Sequence, residues 1–122
     1  MVDDEVAVRG LTRRALEKSG YRVLVASEGT EALVVLAQHR TDVKAVVTDM
    51  MMPGMDGPAL VRILRQTAPH LPIIGMTGVA ERAVLKGLDG LDLPELLPKP
   101  FAIHVLVAAL GRVLNATPES QL

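Results

Sequence analysis

Five side chains, far apart in the sequence, carry the chemistry open to this chain. Asp3 and Asp4 precede its first helical pattern, and Asp49 follows the strand-like run 43–48 (VKAVVT). Thr77 ends the apolar run 71–76, and Lys99 follows the short run 95–97. Three carboxylates at one place repel one another unless a hard divalent cation neutralises them, and Mg²⁺ takes one or two carboxylates with waters and phosphate oxygens. A hydroxyl and an ammonium beside them suit an incoming phosphoryl group, the lysine as a compact point charge. The set points to a Mg²⁺-assisted phosphate site with one carboxylate as the candidate nucleophile.

These groups meet only if the intervening chain brings several strand ends together, and its pattern does so. Short β-branched runs alternate with longer helical patterns. Residues 6–18 predict a helix with Val6, Leu11, Leu16, Ala7 and Ala15 as its apolar stripe and Arg9, Arg13, Arg14 and Glu17 in water. Ser19-Gly20 ends it. Residues 21–26 (YRVLVA) read as a strand, almost continuously apolar as buried parallel strands are. Ser27 or Thr30 is the expected cap of a helix running to about His39. After the strand 43–48, residues 49–57 (DMMMPGMDG) form a loop, and Asp56 is the expected N-cap of a helix over 58–68 with Leu60, Val61 and Leu64 inward. A strand over 71–76, a helix over 80–88, a loop over 87–94, an edge strand over 95–97 and a helix over 102–114 complete the pattern, with 115–122 as a polar tail. In the last helix Ile103, Leu106, Leu110 and Val113 are expected inward. Val105, Val107, Ala108 and Ala109 then lie nearer the surface, a candidate partner or dimer face together with Leu96.

No hairpin signal occurs, so the fold class is α/β, an open parallel sheet with helices on both faces. In such sheets functional groups collect at the carboxyl ends of the strands. Only Met1-Val2 precede the acidic trio Asp3-Asp4-Glu5, so the strand that should feed the first helix is almost entirely missing. It is expected from upstream residues or from a neighbouring chain.

Composition narrows the function. The chain has 122 residues, 49% hydrophobic and 22% charged, in the range of one globular domain. Thirteen basic against fourteen acidic residues give a net charge of −1, no footprint for direct nucleic-acid or membrane binding. One Tyr, one Phe and no Trp leave no base-stacking platform. The absence of cysteine excludes disulfides and thiolate metal sites. No apolar stretch is long enough to span a bilayer and no secretory signal is evident, so a cytoplasmic location is expected. His39, His70 and His104 have no ligand spacing and read as surface residues. The methionines around Asp49 (Met50, Met51, Met52, Met55) read as packing rather than soft-metal ligands.

Taken in order, Asp3-Asp4-Glu5, Asp49 with Met52-Pro53-Gly54-Met55-Asp56-Gly57, Thr77-Gly78 and Lys99-Pro100-Phe101 resemble the receiver domain of two-component response regulators. The separations of 28 residues from Asp49 to Thr77 and 22 from Thr77 to Lys99 agree with that family. The likeness covers the chain to about residue 114, implying a receiver domain over 1–114 and a tail or linker over 115–122. It also implies a flavodoxin-like, doubly wound five-stranded sheet of order 2-1-3-4-5. By the resemblance Asp49 is the phosphoacceptor, taking a phosphoryl group from a phosphohistidine on a histidine kinase or phosphotransfer protein. Asp4 ligates Mg²⁺ directly and Asp3 through water, and the main-chain carbonyl of Met51 completes the protein ligands. Lys99 contacts the phosphoryl oxygens, Thr77 is the switch hydroxyl, and the Lys99-Pro100 peptide is cis. Such a domain is not an enzyme beyond self-catalysed phosphorylation and dephosphorylation.

One position departs from the family pattern. Receivers usually carry Tyr or Phe three residues before the lysine, where this chain has Leu96. The run Leu96-Leu97-Pro98-Lys99-Pro100-Phe101 resembles receivers attached to hybrid histidine kinases. Two alternatives compete. An aspartate-nucleophile phosphatase of the haloacid dehalogenase type needs a general acid two residues after the nucleophile, where Met51 stands. A pseudo-receiver that binds partners unphosphorylated would not need the complete acid, hydroxyl and amine set.

Overall fold

The structure is a computed structural model and describes residues 1–50, 54–55, 57–78, 95–99 and 101–115. Its elements are α1 (Val6–Lys18), α2 (Gly29–Gln38), β1 (Val46–Asp49), α3 (Gly57–Thr67), β2 (Ile73–Thr77), β3 (Glu95–Pro98) and α4 (Ile103–Asn115). The expected helix over 80–88, the loop 87–94, the Asp56 cap, the Lys99-Pro100 peptide and residues 116–122 of the tail lie outside the described residues. Asn115, expected in the tail, closes α4.

β1, β2 and β3 pair in parallel in that order, with Val46 opposite Ile73 and Ile74 opposite Glu95. Val2 extends the sheet beyond β1, bridging Thr48 on one side and Ala26 on the other. Five chain segments therefore lie side by side, in the order expected of a doubly wound sheet. Met1 to Asp3 stand where the first strand was missing. The N–H of Val2 donates to Val47 O at 2.7 Å, Asp49 N–H to Val2 O at 2.9 Å, Asp3 N–H to Ala26 O at 3.1 Å and Ala26 N–H to Met1 O at 2.9 Å.

Two strand expectations are corrected. Residues 21–25 are not strand, and the strand expected to start at 43 starts at Val46. A strand exists through its partner, and among the described residues the bridges of Val2 reach only Ala26 on one side and Thr48 on the other. Between 21–25 and 43–47 lies a cavity of about 320 Å³, lined among others by Val23, Val25, Leu36, Val43 and Ala45.

β1 and β2 are buried at every residue, as their apolar, β-branched sequences require of strands covered on both faces. Alternation divides them. Val46 and Ile73 join Val2, Met50, Leu60, Val61 and Leu64 in a core under α2 and α3. Val47, Ile74 and Met76 join Leu16, Leu97, Leu106, Ala109, Leu110 and Val113 under α1 and α4.

Two helix faces and one helix cap differ from expectation. Val6 is 73% and Leu11 62% exposed, whereas Thr12 and Leu16 are buried. An i, i+4 pair sets that inner face, and Val6 and Leu11 do not share it. In α4, Ala109 is fully buried and Ile103 is 39% exposed. The inner stripe is Leu106, Ala109, Leu110 and Val113, the i, i+3, i+4, i+7 set. Ala109 thus cannot belong to a partner face. The cap of α2 is Glu28, whose Oε1 accepts from Glu31 N–H at 3.0 Å, rather than Ser27 or Thr30. Ser27 instead donates its hydroxyl to Glu31 Oε2 at 2.8 Å.

Candidate functional site

The carboxyl ends of the segment Met1 to Asp3, β1, β2 and β3 converge on one rim. β1 ends on Asp49, β2 ends one residue beyond Asp49's partner Met76, and Lys99 follows β3 directly. The Lys99 N–H donates to Thr77 O at 2.6 Å, tying the lysine to the end of β2.

The side chains meet there. Carboxylate oxygens of Asp3, Asp4 and Asp49 all lie within 4.8 Å of one another. Lys99 Nζ donates to Asp49 Oδ2 at 2.8 Å and to Asp3 Oδ2 at 3.4 Å. Asp3, Asp49 and Thr77 are buried and Asp4 is exposed, so the cluster is open on the Asp4 side. The Thr77 hydroxyl donates to the Gly78 carbonyl at 3.3 Å. Met51, expected to offer its carbonyl, lies outside the described residues.

Burial sets the electrostatics. Loss of solvent pushes the Asp3 carboxyl above its ordinary value, and the nearby Asp49 charge adds to this. The Glu5 N–H, which donates to Asp3 Oδ1 at 2.9 Å, and Lys99 oppose the rise without cancelling it. Burial pulls the Lys99 ammonium down, but its hydrogen bond to Asp49 and the charges of Asp49 and Asp3 outweigh this and raise it. One cation thus pairs with two of the three acids. An oxygen-only, anionic cluster left with excess negative charge suits a hard divalent cation, and Mg²⁺ fits its donor chemistry.

Three residues support the site; Met50 was expected to pack, whereas Arg9 and Gly57 escaped sequence reasoning. Arg9, expected in water, turns back so that Nη1 donates to Asp3 O at 2.8 Å. Met50 is fully buried beneath the rim. Gly57 opens α3 where a Cβ would fall against Met50 Cα and 2.6 Å from Asp49 O, so only glycine lets α3 approach the acid's backbone. Gly54 adopts φ +75 in the same loop. The Pro-Gly and Asp-Gly pairs of this loop were the sequence signal for tight backbone; the Arg9 bond had no local signal. Leu96 packs into the space above Gly75, whose Cβ would lie 2.9 Å from Leu96 Cδ1.

Comparison with known proteins agrees with this geometry. A family model described as the response regulator receiver domain matches residues 1–111. A relative named response regulator MprA from Mycobacterium sp. (strain KMS) is 44% identical over 119 residues, which cover 96% of this chain and 50% of the relative. The chain thus spans about half the length of the curated relatives it matches. Among solved structures, a response regulator receiver domain protein from Clostridium thermocellum aligns with TM-score 0.83 at 31% identity, covering 93% of this chain and 90% of that one. The signal receiver domain of a signal transduction histidine kinase from Syntrophus aciditrophicus aligns with TM-score 0.84 at 28% identity, covering 96% and 89%.

Proposed function

Because this chain belongs to the response regulator receiver domain family, we propose that it is the phosphoacceptor module of a two-component phosphorelay, with Asp49 as acceptor and Asp3, Asp4 and Asp49 as the holders of Mg²⁺. The observation that carries this reading is the placement of Lys99 Nζ, 2.8 Å from Asp49 and 3.4 Å from Asp3, over three carboxylates that converge within 4.8 Å.

In the proposed reaction an Asp49 carboxylate oxygen attacks the phosphorus of a phosphohistidine on a partner kinase or phosphotransfer protein. The P–N bond breaks as the P–O bond forms, and the released imidazole nitrogen takes a proton from solvent. The ammonium of Lys99 balances charge on the transferred oxygens, and burial of Asp49 limits the water that competes with the donor. Bound Mg²⁺ supplies further neutralisation and a template for the phosphoryl oxygens. Thr77, at the end of β2 and tied through its carbonyl to Lys99, is the hydroxyl positioned to report the new charge. Hydrolysis of the aspartyl phosphate returns the module to its starting state, so no external substrate is turned over. The receiver unit spans 1–114 in this reading and acts in the cytoplasm, where its donor is found.

Incubation with acetyl phosphate and Mg²⁺, followed by intact mass, tests the assignment. Wild type is expected to gain one phosphoryl mass and Asp49→Asn none; an equal adduct on both refutes Asp49 as acceptor.

A further inference from the structure

The three acids are not held alike. Every polar group of Asp3 is engaged: its N–H by Ala26 O, Oδ1 by Glu5 N–H, Oδ2 by Lys99 and its carbonyl by Arg9 Nη1 at 2.8 Å. Asp49 is fixed by the β1 ladder, by its N–H to Val2 O and by Lys99. Asp4 is exposed, and its carboxylate makes no hydrogen bond or ion pair among the described residues. What aims it into the cluster is therefore its backbone. The Asp3 carbonyl and the Asp4 N–H belong to one rigid peptide plane, so a clamp on that oxygen orients the unit that carries Asp4.

Resting on the Mg²⁺ reading above, we infer that Arg9 is a positioning residue for the metal site: it acts through the Asp3–Asp4 peptide and holds Asp4 ready as a ligand. Arg9 suits the role through its place in α1. Its own N–H donates to Glu5 O at 2.9 Å, so the first turn of the helix fixes the arginine's backbone while its side chain reaches back past the helix start. A planar guanidinium, always charged, makes a directional and charge-assisted bond to a carbonyl. Arg9 is half-buried, which limits competition from water for that bond.

The inference has a sign that electrostatics alone cannot reproduce. A positive charge beside a cation site opposes cation binding, so removing Arg9 as a mere neighbouring charge strengthens Mg²⁺ binding. Removing it as a clamp weakens binding, because Asp4 must then be ordered when the metal arrives. Supporting residues of this kind typically cost 10–100-fold in metal affinity when lost.

Mg²⁺ titration by calorimetry, repeated while following the backbone amide shifts of Glu5 and Asp49, tests it on wild type, Arg9→Ala, Arg9→Gln and Arg9→Lys. The expected result is a Kd about tenfold higher in Arg9→Ala, at the lower end of that range, with partial recovery in Arg9→Lys. Arg9→Gln, which keeps a donor and much of the side-chain length without the charge, is expected between Ala and Lys. A Kd equal to or lower than wild type in Arg9→Ala and Arg9→Gln overturns the positioning role and leaves the metal reading intact. If Arg9→Ala does not fold, Arg9→Gln decides by the same criterion. Absence of Mg²⁺ binding in wild type overturns the metal reading, and this inference with it.

Discussion

The two ends of the same sheet are built in opposite ways. At the carboxyl ends of the strands, Val2 bonds to β1, Asp3 to Ala26, and the buried acids find Lys99 within 3.4 Å. At the other end, residues 21–25 and 43–45 run without strand pairing and flank a cavity of about 320 Å³. Composition does not explain the difference, since 21–26 and 43–48 are as apolar as β2. Backbone pairing does. Met1 to Asp3 supply the donors and acceptors that close the sheet next to the site. The bonds of Met1, Val2 and Asp3 therefore tie the rim together, and the apolar end follows its own local stability.

Amide hydrogen exchange tests this division directly and carries the largest expected effect. The amides of Val2, Asp49 and Met50 donate to Val47, Val2 and Met76 carbonyls, whereas among the described residues Arg22, Val23, Leu24 and Val25 have no hydrogen-bond acceptor for theirs. Protection factors at the rim are expected to exceed those over 22–25 by about a hundredfold or more. Equal protection at the two ends would break the comparison.

The same contrast separates what was legible in the sequence from what was not. Asp49, Thr77 and Lys99 could be placed because each follows a short apolar run whose burial is local information: β1 and β2 are hydrophobic enough to be central strands wherever they pair. The Leu60, Val61 and Leu64 face of α3 was legible for a similar reason, its period being unambiguous. Residues 21–26 read equally well as a strand, yet pairing is a property of the neighbour, and no pattern within six residues reports whether a neighbour pairs with them. In α1 and α4 the apolar residues outnumber the inner positions. The choice of Thr12 over Leu11, or of Ala109 over Ile103, was made by the sheet beneath them. Arg9 was assigned to water because charge predicts exposure; its carbonyl partner lies six residues back and is reached only once the helix has formed.

Identical substitutions at the two ends give the next effect. Val2→Ala removes two methyl groups from a residue that is 2% exposed and bridges both neighbours. The expected cost is about 2 kcal/mol, from lost burial and a cavity that cannot collapse inside the sheet. Val23→Ala makes the same change beside existing empty space at a half-buried position, and its expected cost is below about 1 kcal/mol. Urea denaturation of both variants measures the pair. A larger loss at Val23 would show that the apolar end, not Met1 to Asp3, holds the sheet together.

The smallest effect concerns the charge stored at the ordered end. Burial raises the Asp3 carboxyl above its unfolded value of 3.8, so the folded state disfavours its ionised form. For an acid raised on folding, the penalty is full above the folded pKa and disappears as pH falls through it toward 3.8. Asp3→Asn removes the penalty while Lys99 keeps its 2.8 Å partner Asp49. In metal-free buffer at pH 7 the variant is expected to melt above wild type. The gap should narrow as pH is lowered, because a protonated Asp3 resembles asparagine. Saturating Mg²⁺ should reverse it by stabilising wild type alone. A variant that melts below wild type without metal would mean that the Glu5 and Lys99 bonds to Asp3 outweigh its desolvation, and that the rim is stabilised rather than strained by its third acid.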